Sequence, residues 1–394
     1  MPPLLLIAIA LGSIIGHGYF WVAIVNRLHG WNGPHRIIDY LTLLCCVGFA
    51  VFPLVIVYQW WTIGGGFLST AADSNLSILV KVYFLFCCFI GYGNILARMV
   101  GFFPEDDPTI LVSKQSELVS PEKPFRSGQW VGWYPRMLGA IPLNEALSLS
   151  VDSKQLFIPQ LPDQLAGIRI AHLSDLHLTG RIGSEWYHFV ADQVNLAKAD
   201  VIVLTGDLIE NESCRSCLIE SLGQLQARLG VYFILGNHDL YIDAKRTVAE
   251  LVEAGLLYVG DCCREVSWNG TSVQIAGNEL PWVGHAPSYP QHSDVNAFRL
   301  GLLHTPDQID WAYRAGVNLA LAGHTHGGQV RFPLLGAVAA PSLYGTRFAC
   351  GTFRRGNTVM HVTRGISGET PLRWNCPPEI AVLELVKNPP ESAG

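Results

Sequence analysis

Residues 1–99 and residues 144–387 carry two different patterns of apolar and polar positions. In the first stretch, runs 4–25 and 40–61 contain no charged residue. A third run, 79–97, carries only Lys81 near its start and is followed by Arg98. Each approaches the roughly 20 residues a helix needs to cross a bilayer, and Lys81 and Arg98 are long enough to snorkel to the two interfaces. One such run alone fits a buried core helix. Three in succession, before any charged amphipathic helix, predict three membrane spans. The first three residues lack the basic stretch of a signal peptide.

In the second stretch five short apolar runs each stop in a polar cluster: 168–177 (IRIAHLSDLH), 201–210 (VIVLTGDLIE), 231–239 (VYFILGNHD), 300–307 (LGLLHTPD) and 317–326 (VNLALAGHTH). A β-branched and aromatic run that ends at Gly, Ser or Asp predicts a buried strand entering a loop. Between them lie helical patterns: 185–198 sets Trp186, Phe189, Val190, Val194 and Ala197 on one face, and 213–229 and 244–254 repeat that spacing. Further strands are predicted over 256–259, 272–276, 358–363 and 379–386, and a strand pair or bent strand over 146–158 around Asp152 and Ser153. Early βα alternation followed by strands alone predicts two stacked sheets with helices on the outer faces. Residues 101–136 have no sustained periodicity and read as a linker or surface-lying segment. The expected organisation is a transmembrane region 1–99, a linker 100–143, a catalytic domain 144–387 and a tail 388–394.

Composition changes this picture in three places. Only 15% of the 394 residues are charged, and the apolar excess lies at the N-terminus. Net charge is -6 with 26 Lys and Arg and no basic stripe, which argues against a nucleic-acid partner. Arg27 and Arg36 between the first two spans, with Arg98 after the third, outnumber Lys81. The positive-inside rule then predicts a multi-pass protein of the plasma or inner membrane with its large C-terminal domain in the cytoplasm. Of the ten cysteines, Cys45, Cys46, Cys87 and Cys88 fall inside spans. A zinc site from Cys214, Cys217, Cys262 and Cys263 would need two neighbouring ligands, awkward for a tetrahedron, so reduced thiols are expected.

The strand-end clusters hold the candidate chemistry. Asp175 and His177 stand two apart and face the same side in an extended segment. Asp207 ends its strand in G-D, where one carboxylate can bridge two cations. Asn237 and His238 offer an amide oxygen and an imidazole, His304 leads H-T-P-D, and His324 and His326 again stand two apart. Open α/β sheets place their chemistry at such strand ends. Singly, each piece is as consistent with a cap or a surface hydrogen bond; five in fixed order imply one metal site. His172, His188, His285, His292 and His361 lie outside the pattern and read as structural or surface residues.

The order D-x-H, G-D, G-N-H-D, H, G-H-x-H resembles the calcineurin-like metallophosphoesterase superfamily over residues 167–386. Segments 167–178 (GIRIAHLSDLHL), 323–332 (GHTHGGQVRF) and 376–380 (CPPEI) resemble its membrane-attached group of YkuE- and YaeI-type phosphodiesterases and transmembrane proteins with a metallophosphoesterase domain. Some relatives of that group are similar to UDP-2,3-diacylglucosamine hydrolases of lipid A synthesis. One departure is Glu210, where many members have Asp.

The resemblance implies an α/β fold, a four-layer αββα sandwich, and two divalent ions. One ion would be held by Asp175, His177, Asp207 and His326, the other by Asp207, Asn237, His304 and His324. Nitrogen and oxygen donors without thiolate suit Mn²⁺ first, or Fe or Zn²⁺. His238 would be the acid, with Asp239 either orienting its imidazole or capping the loop. The expected activity is hydrolysis of a phosphodiester or pyrophosphate, on membrane lipid or a lipid-linked substrate such as UDP-2,3-diacylglucosamine. A hydrolase for soluble phosphoesters and a non-catalytic scaffold are the alternatives; a scaffold would have lost ligands. Trp282 and Tyr289, in the loop before the His304 strand, read as lipid contacts or as local packing. No protein partner is expected.

Overall fold

The computed structural model describes residues 3–62, 75–100, 105–121, 129–290, 297–333 and 335–390. The chain divides into two compact units, Met1–Pro104 with Phe332–Thr346, and Glu105–Arg331 with Arg347–Gly394.

The first unit is built on α1 (Pro3–His29), α2 (His35–Thr62) and α3 (Asn75–Met99). Each is long and apolar enough to cross a membrane, over Ile7–His29, Arg36–Tyr58 and Ile78–Met99. Glycines set how closely α1 and α3 approach. A Cβ at Gly16 would lie 1.7 Å from the Cys87 carbonyl oxygen, and one at Gly91 would lie 2.1 Å from that of Gly12. Gly12 and Gly16 form the small-xxx-small spacing that brings helix backbones together where no water drives association. Polar side chains point inward. The Ser13 hydroxyl donates to the Phe84 carbonyl at 3.1 Å, His17 Nδ1 lies 2.6 Å from the Tyr83 hydroxyl, and the buried Asn26 amide spans Val338 O (3.2 Å) and Ala340 N (3.0 Å). Phe332–Thr346, expected as part of the catalytic domain, therefore packs on the helices.

The second unit opens with β1 (Leu111–Val119), α4 (Trp133–Gly139) and β2 (Leu149–Phe157). It then alternates β3 (Arg169–Leu173), α5 (Ser184–Leu196), β4 (Val201–Thr205), α6 (Arg215–Leu222), β5 (Val231–Ile234) and α7 (Ala244–Glu253). Short β6 (Leu257–Tyr258), β7 (Cys263–Trp268), β8 (Thr271–Asn278), β9 (Phe298–Leu303), α8 (Ile309–Arg314) and β10 (Leu319–Ala322) follow. The short strands β11 (Arg331–Phe332) and β12 (Gly336–Ala337) come next along the chain, β12 within the Phe332–Thr346 segment of the first unit, and the second unit resumes with β13 (Gly351–Arg355), β14 (Thr358–Val362) and β15 (Glu379–Val386). One sheet has the order β1-β2-β15-β3-β4-β5-β6, the other β13-β14-β10-β9-β8-β7. Strands β3 to β6 are parallel, as are β8, β9, β10 and β14.

Parity explains why the central strands are apolar throughout. In β4, Val201 and Val203 join the core between the sheets, while Ile202 and Leu204 join Trp186, Val190, Leu218 and Leu251 beneath the helices. A strand buried on both faces has no polar side to show. On the second sheet the outer layer is thin: α8 places Trp311 against Gly301.

Two expectations are corrected. The predicted linker 100–143 contains β1, an edge strand whose central seven residues are all exposed. It left no alternating signature because neither face is buried; residues 101–104 and 122–128 of that linker, like His292 and tail residues 391–394, lie outside the described residues. Of the strand pair or bent strand expected around Asp152 and Ser153, the pair is absent, and β2 is one continuous strand. Its polar residues Ser150, Asp152 and Lys154 are buried because they are paired. Lys154 Nζ lies 2.6 Å from Glu379 Oε1 and 3.0 Å from His361 Nε2, while Arg364 reaches Asp152 at 3.2 Å. His361 Nδ1 lies 3.0 Å from His172 Nδ1, and His172 Nε2 lies 3.0 Å from Thr205 Oγ1. The structural reading of these two histidines fits their bonding.

Candidate metal centre

Asp175 and His177 follow β3, Asp207 follows β4, Asn237 follows β5, His304 follows β9, and His324 and His326 follow β10. Parallel strands with their C-terminal ends on one side bring all seven together. Five of them adopt left-handed backbone: Asp175 (φ 54), His177 (φ 44), Asp207 (φ 53), His324 (φ 70) and His326 (φ 51). Such conformations cost on the order of 1–3 kcal/mol each and persist where surrounding bonds over-determine them. Here Asp175 N donates to Gly206 O (3.0 Å), His177 N to Asp207 O (2.9 Å), and His324 N to both Asp175 carboxylate oxygens (3.0 and 2.9 Å). Gly206 (φ 91) allows the crossing itself, since a Cβ there would meet Gly236 N at 2.6 Å and His304 Nδ1 at 2.7 Å.

Two ligand-type groups share one corner. Asp175, His177 and His326 form one and Asp207, His304 and His324 another, each with ligand atoms within 4.8 Å of one another. Asp207 Oδ2 lies 3.5 Å from His177 Nε2 and 3.3 Å from His304 Nε2. His177 Nε2 and His326 Nε2 are 3.2 Å apart, and Asn237 Oδ1 is 3.0 Å from His304 Nε2. Ligands about 2.0–2.2 Å from a common ion sit roughly 3 to 3.5 Å from each other, so the spacing fits. Buried Asp207 Oδ2 and His324 Nε2 have no hydrogen-bond partner within the protein. Unpaired buried polar atoms are costly, and bound metal ions would satisfy both.

Outer partners fix which nitrogen each imidazole presents. His304 Nδ1 lies 2.8 Å from Thr205 O, His326 Nδ1 lies 3.1 Å from Ser367 O, and His177 Nδ1 contacts the Glu210 carboxylate. Their Nε2 atoms are therefore left facing the cluster. Burial, helped by the neighbouring histidines, holds His324 and His326 well below the ordinary histidine range, in the neutral form that ligates. Burial pushes the Asp207 carboxyl up, but His304, His238 and His177 outweigh it and hold it well below the carboxylate range. Burial likewise opposes charge on His304, yet Asp207 raises it to about 9.

His238 lies beside this cluster, its side chain partly exposed, with Nδ1 3.0 Å from Glu210 Oε1 and 3.7 Å from Glu369 Oε1. Burial disfavours its charge, but Asp207 and Glu210 raise it to about 9. Asp239 does not orient this imidazole. Its carboxylate is fully buried and accepts backbone N–H groups of Leu208 (2.8 Å), Ile209 (3.1 Å) and Gly236 (2.7 Å). It ties two ligand loops together; Glu210 is the carboxylate facing His238.

Glu210 is what sequence reasoning undervalued: three residues beyond Asp207, it touches both His177 and His238. The carbonyls of Thr205 and Ser367 left no sequence signal, because any residue supplies a carbonyl. Trp282 lies against the site, its ring 4.7 Å from that of His324 and 5.5 Å from that of His304. Tyr289 is packing: it is buried, bonded to Leu300 O and stacked on Trp311. Cys214 and Cys217 are free thiols pushed up by burial, as are Cys262 and Cys263.

Two stacked mixed sheets thus gather at their strand ends an Asp/Asn/His cluster that could hold metal ions. Residues 168–328 match the Calcineurin-like phosphoesterase family. The metallophosphoesterase YkuE of Bacillus subtilis is 32% identical over 234 residues, 57% of this chain and 81% of that protein. Phosphodiesterase YaeI of Escherichia coli is 30% identical over 232 residues, 57% and 84% respectively. A "Transmembrane protein with metallophosphoesterase domain" of Danio rerio is 28% identical over 387 residues, 89% of this chain and 82% of that protein. The chain belongs to the calcineurin-like phosphoesterase family and is a metallophosphoesterase with membrane-type helices.

Proposed function

We propose that the protein hydrolyses a phosphodiester or pyrophosphate bond of a lipid-linked substrate, of the UDP-2,3-diacylglucosamine kind, at the cytoplasmic face of a membrane. The observation that carries this reading is one corner where Asp175, His177 and His326 meet Asp207, His304 and His324, with Asn237 beside His304 and Asp207 Oδ2 unpaired, in a chain that also holds three membrane-length helices. Asp175, His177, Asp207 and His326 would hold one ion and Asp207, Asn237, His304 and His324 the other, with Mn²⁺ favoured by the N/O donor set. Two bound divalent ions supply an activated water and neutralise phosphoryl charge. The remaining work falls to the chain. His238 donates a proton to the leaving oxygen as its bond to phosphorus breaks. Glu210 holds Nδ1 of that imidazole and keeps His177 in the tautomer that turns Nε2 inward. Trp282 walls the His304–His324 side. The Arg27, Arg36 and Arg98 bias supports three spans with the hydrolase in the cytoplasm.

The test is the purified full-length protein with Mn²⁺, comparing UDP-2,3-diacylglucosamine with bis-p-nitrophenyl phosphate, and Asp207→Asn with wild type. Asp207→Asn should abolish turnover of both and lower bound metal from about two ions to one or fewer. Near-normal turnover with two ions retained overturns the site; turnover of the soluble diester alone overturns the lipid substrate.

A further inference from the structure

We propose that residues 131–143, centred on α4, form an interfacial element that lays its apolar side chains among the lipids of the bilayer surface. It rests on the reading that this hydrolase works at a membrane. Five large apolar side chains within thirteen residues face outward in the catalytic unit: Val131 (49% exposed), Trp133 (77%), Met137 (53%), Ile141 (41%) and Leu143 (74%). Helical spacing sorts them. Trp133 and Met137 stand one turn apart on the open side of α4, while Pro135 and Leu138 on its other side are buried. The exposure is not that of a loose loop. Val131 N donates to Arg181 O at 2.9 Å. The Asn144 side chain donates to Leu138 O and Pro371 O, both at 3.0 Å, and accepts from Ala146 N and Arg373 N, again both at 3.0 Å. A large exposed apolar patch held in fixed backbone marks an interaction surface.

The composition selects lipid as the occupant. Residues 129–144 contain Arg136 and no Asp or Glu, so the element is cationic where an anionic leaflet attracts charge. Trp133 is the residue type that settles at the headgroup level, and a short helix with such a face lies in the interface plane. The same chain carries three membrane-length helices, so a bilayer is always within reach. The element is also continuous with the site. Its anchor, Arg181, bonds the Glu369 carbonyl through its guanidinium, and the Glu369 carboxylate lies 3.7 Å from His238 Nδ1. Lipid drawn to α4 would thus lie beside the residue that serves the leaving group.

The experiment uses full-length protein in phosphatidylcholine–phosphatidylglycerol vesicles whose acyl chains carry bromine, which quenches tryptophan on contact. The Trp133 signal is the difference between wild type and Trp133→Ser. That signal should be quenched, and a Trp133→Ser, Met137→Ser double variant should lose roughly tenfold in turnover of lipid substrate in these vesicles. Its turnover of bis-p-nitrophenyl phosphate should stay within twofold of wild type, which also reports folding. If the serine variants fail that control, Trp133→Phe keeps the ring and supplies the difference spectrum. An unquenched Trp133 overturns the proposal, as does a change in oligomeric state on substitution, which would make a second copy of the chain the occupant. Quenching without any lipid-substrate turnover leaves the interfacial element standing and removes the lipid-substrate reading instead.

Discussion

The helical unit and the catalytic unit sort their side chains in opposite directions. Between their charged ends the helices expose large apolar groups, among them Leu54 (67%), Trp61 (79%) and Phe89 (79%), whereas Ser13, His17 and Asn26 are buried and bonded. In the catalytic unit the sheets bury aliphatic side chains on both faces. There, buried polar groups such as Asp175, Asp207 and Asp239 gather at strand ends, where they hold one another or lack a partner. The same rule, that a polar group must be satisfied, acts in two solvents. Lipid tails let apolar surface face outward and force polar groups inward into pairs; water does the reverse, and at the strand ends Asp207 Oδ2 and His324 Nε2 are left unpaired where ligand-type groups meet. By this standard α4 belongs to the first solvent although it sits in the second unit.

The largest effect is expected where buried polarity is chemical. His238→Ala should slow hydrolysis by roughly 10²–10⁴-fold, the usual contribution of a positioned acid, while both metals and the thermal midpoint remain. The loss should be greatest for poor leaving groups; loss of metal instead would make His238 a ligand. In the helical unit, Phe89→Asp replaces an exposed side chain, a change that costs little on a water-facing surface. Facing lipid it should cost about 3 kcal/mol of membrane insertion, read as a fall in the membrane-inserted fraction. Unchanged insertion would break the contrast between the units.

A smaller effect separates buried carboxyls by pH. Burial first, then Asp239 and Asp261, raise Glu279 to about 7, against the pull of Leu235 N and the Tyr258 hydroxyl. A carboxyl raised in the fold contributes stability that is fully present below about pH 4.5 and lost as pH rises through about 7. The whole effect is at most about 3 kcal/mol. Thermal midpoints of the detergent-solubilised protein should fall between pH 5 and pH 8 for wild type and stay flatter for Glu279→Gln. Parallel curves would show that Glu279 is not protonated in the fold.

The parts of this architecture that were legible in the sequence are those where one physical demand controls many residues. Strands β3, β4, β5, β9 and β10 announced themselves because both faces are buried, and the three membrane-length helices because their long runs carry almost no charge. Strand β1 was silent because an edge strand with both faces wet has no pattern. Phe332–Thr346 follows a ligand motif in sequence but folds against α1 through two backbone bonds to Asn26, and backbone partners leave no trace in composition. At the site, the seven ligand-type residues were readable from their strand-end positions. The roles of Asp239 and Glu210 were not, because both are carboxylates near His238 and only geometry tells which one faces it.

The buried string running from Lys154 to Thr205 has a direction. An ammonium has protons to give and none to take, so Lys154 donates to His361 Nε2, which leaves the His361 proton on Nδ1, aimed at His172 Nδ1. That proton fixes the next, and His172 must donate from Nε2 to Thr205 Oγ1. Burial keeps both rings neutral, His172 at about 3 and His361 well below its ordinary range. The string crosses from one sheet to the other at His361 alone. A one-residue slip of β14 would turn His361 away and offer Lys154 the side chain of Met360 or Val362, neither of which can accept a proton. Lys154 thus ties β2 of one sheet to β14 of the other in the one register of β14 that presents an acceptor to its ammonium.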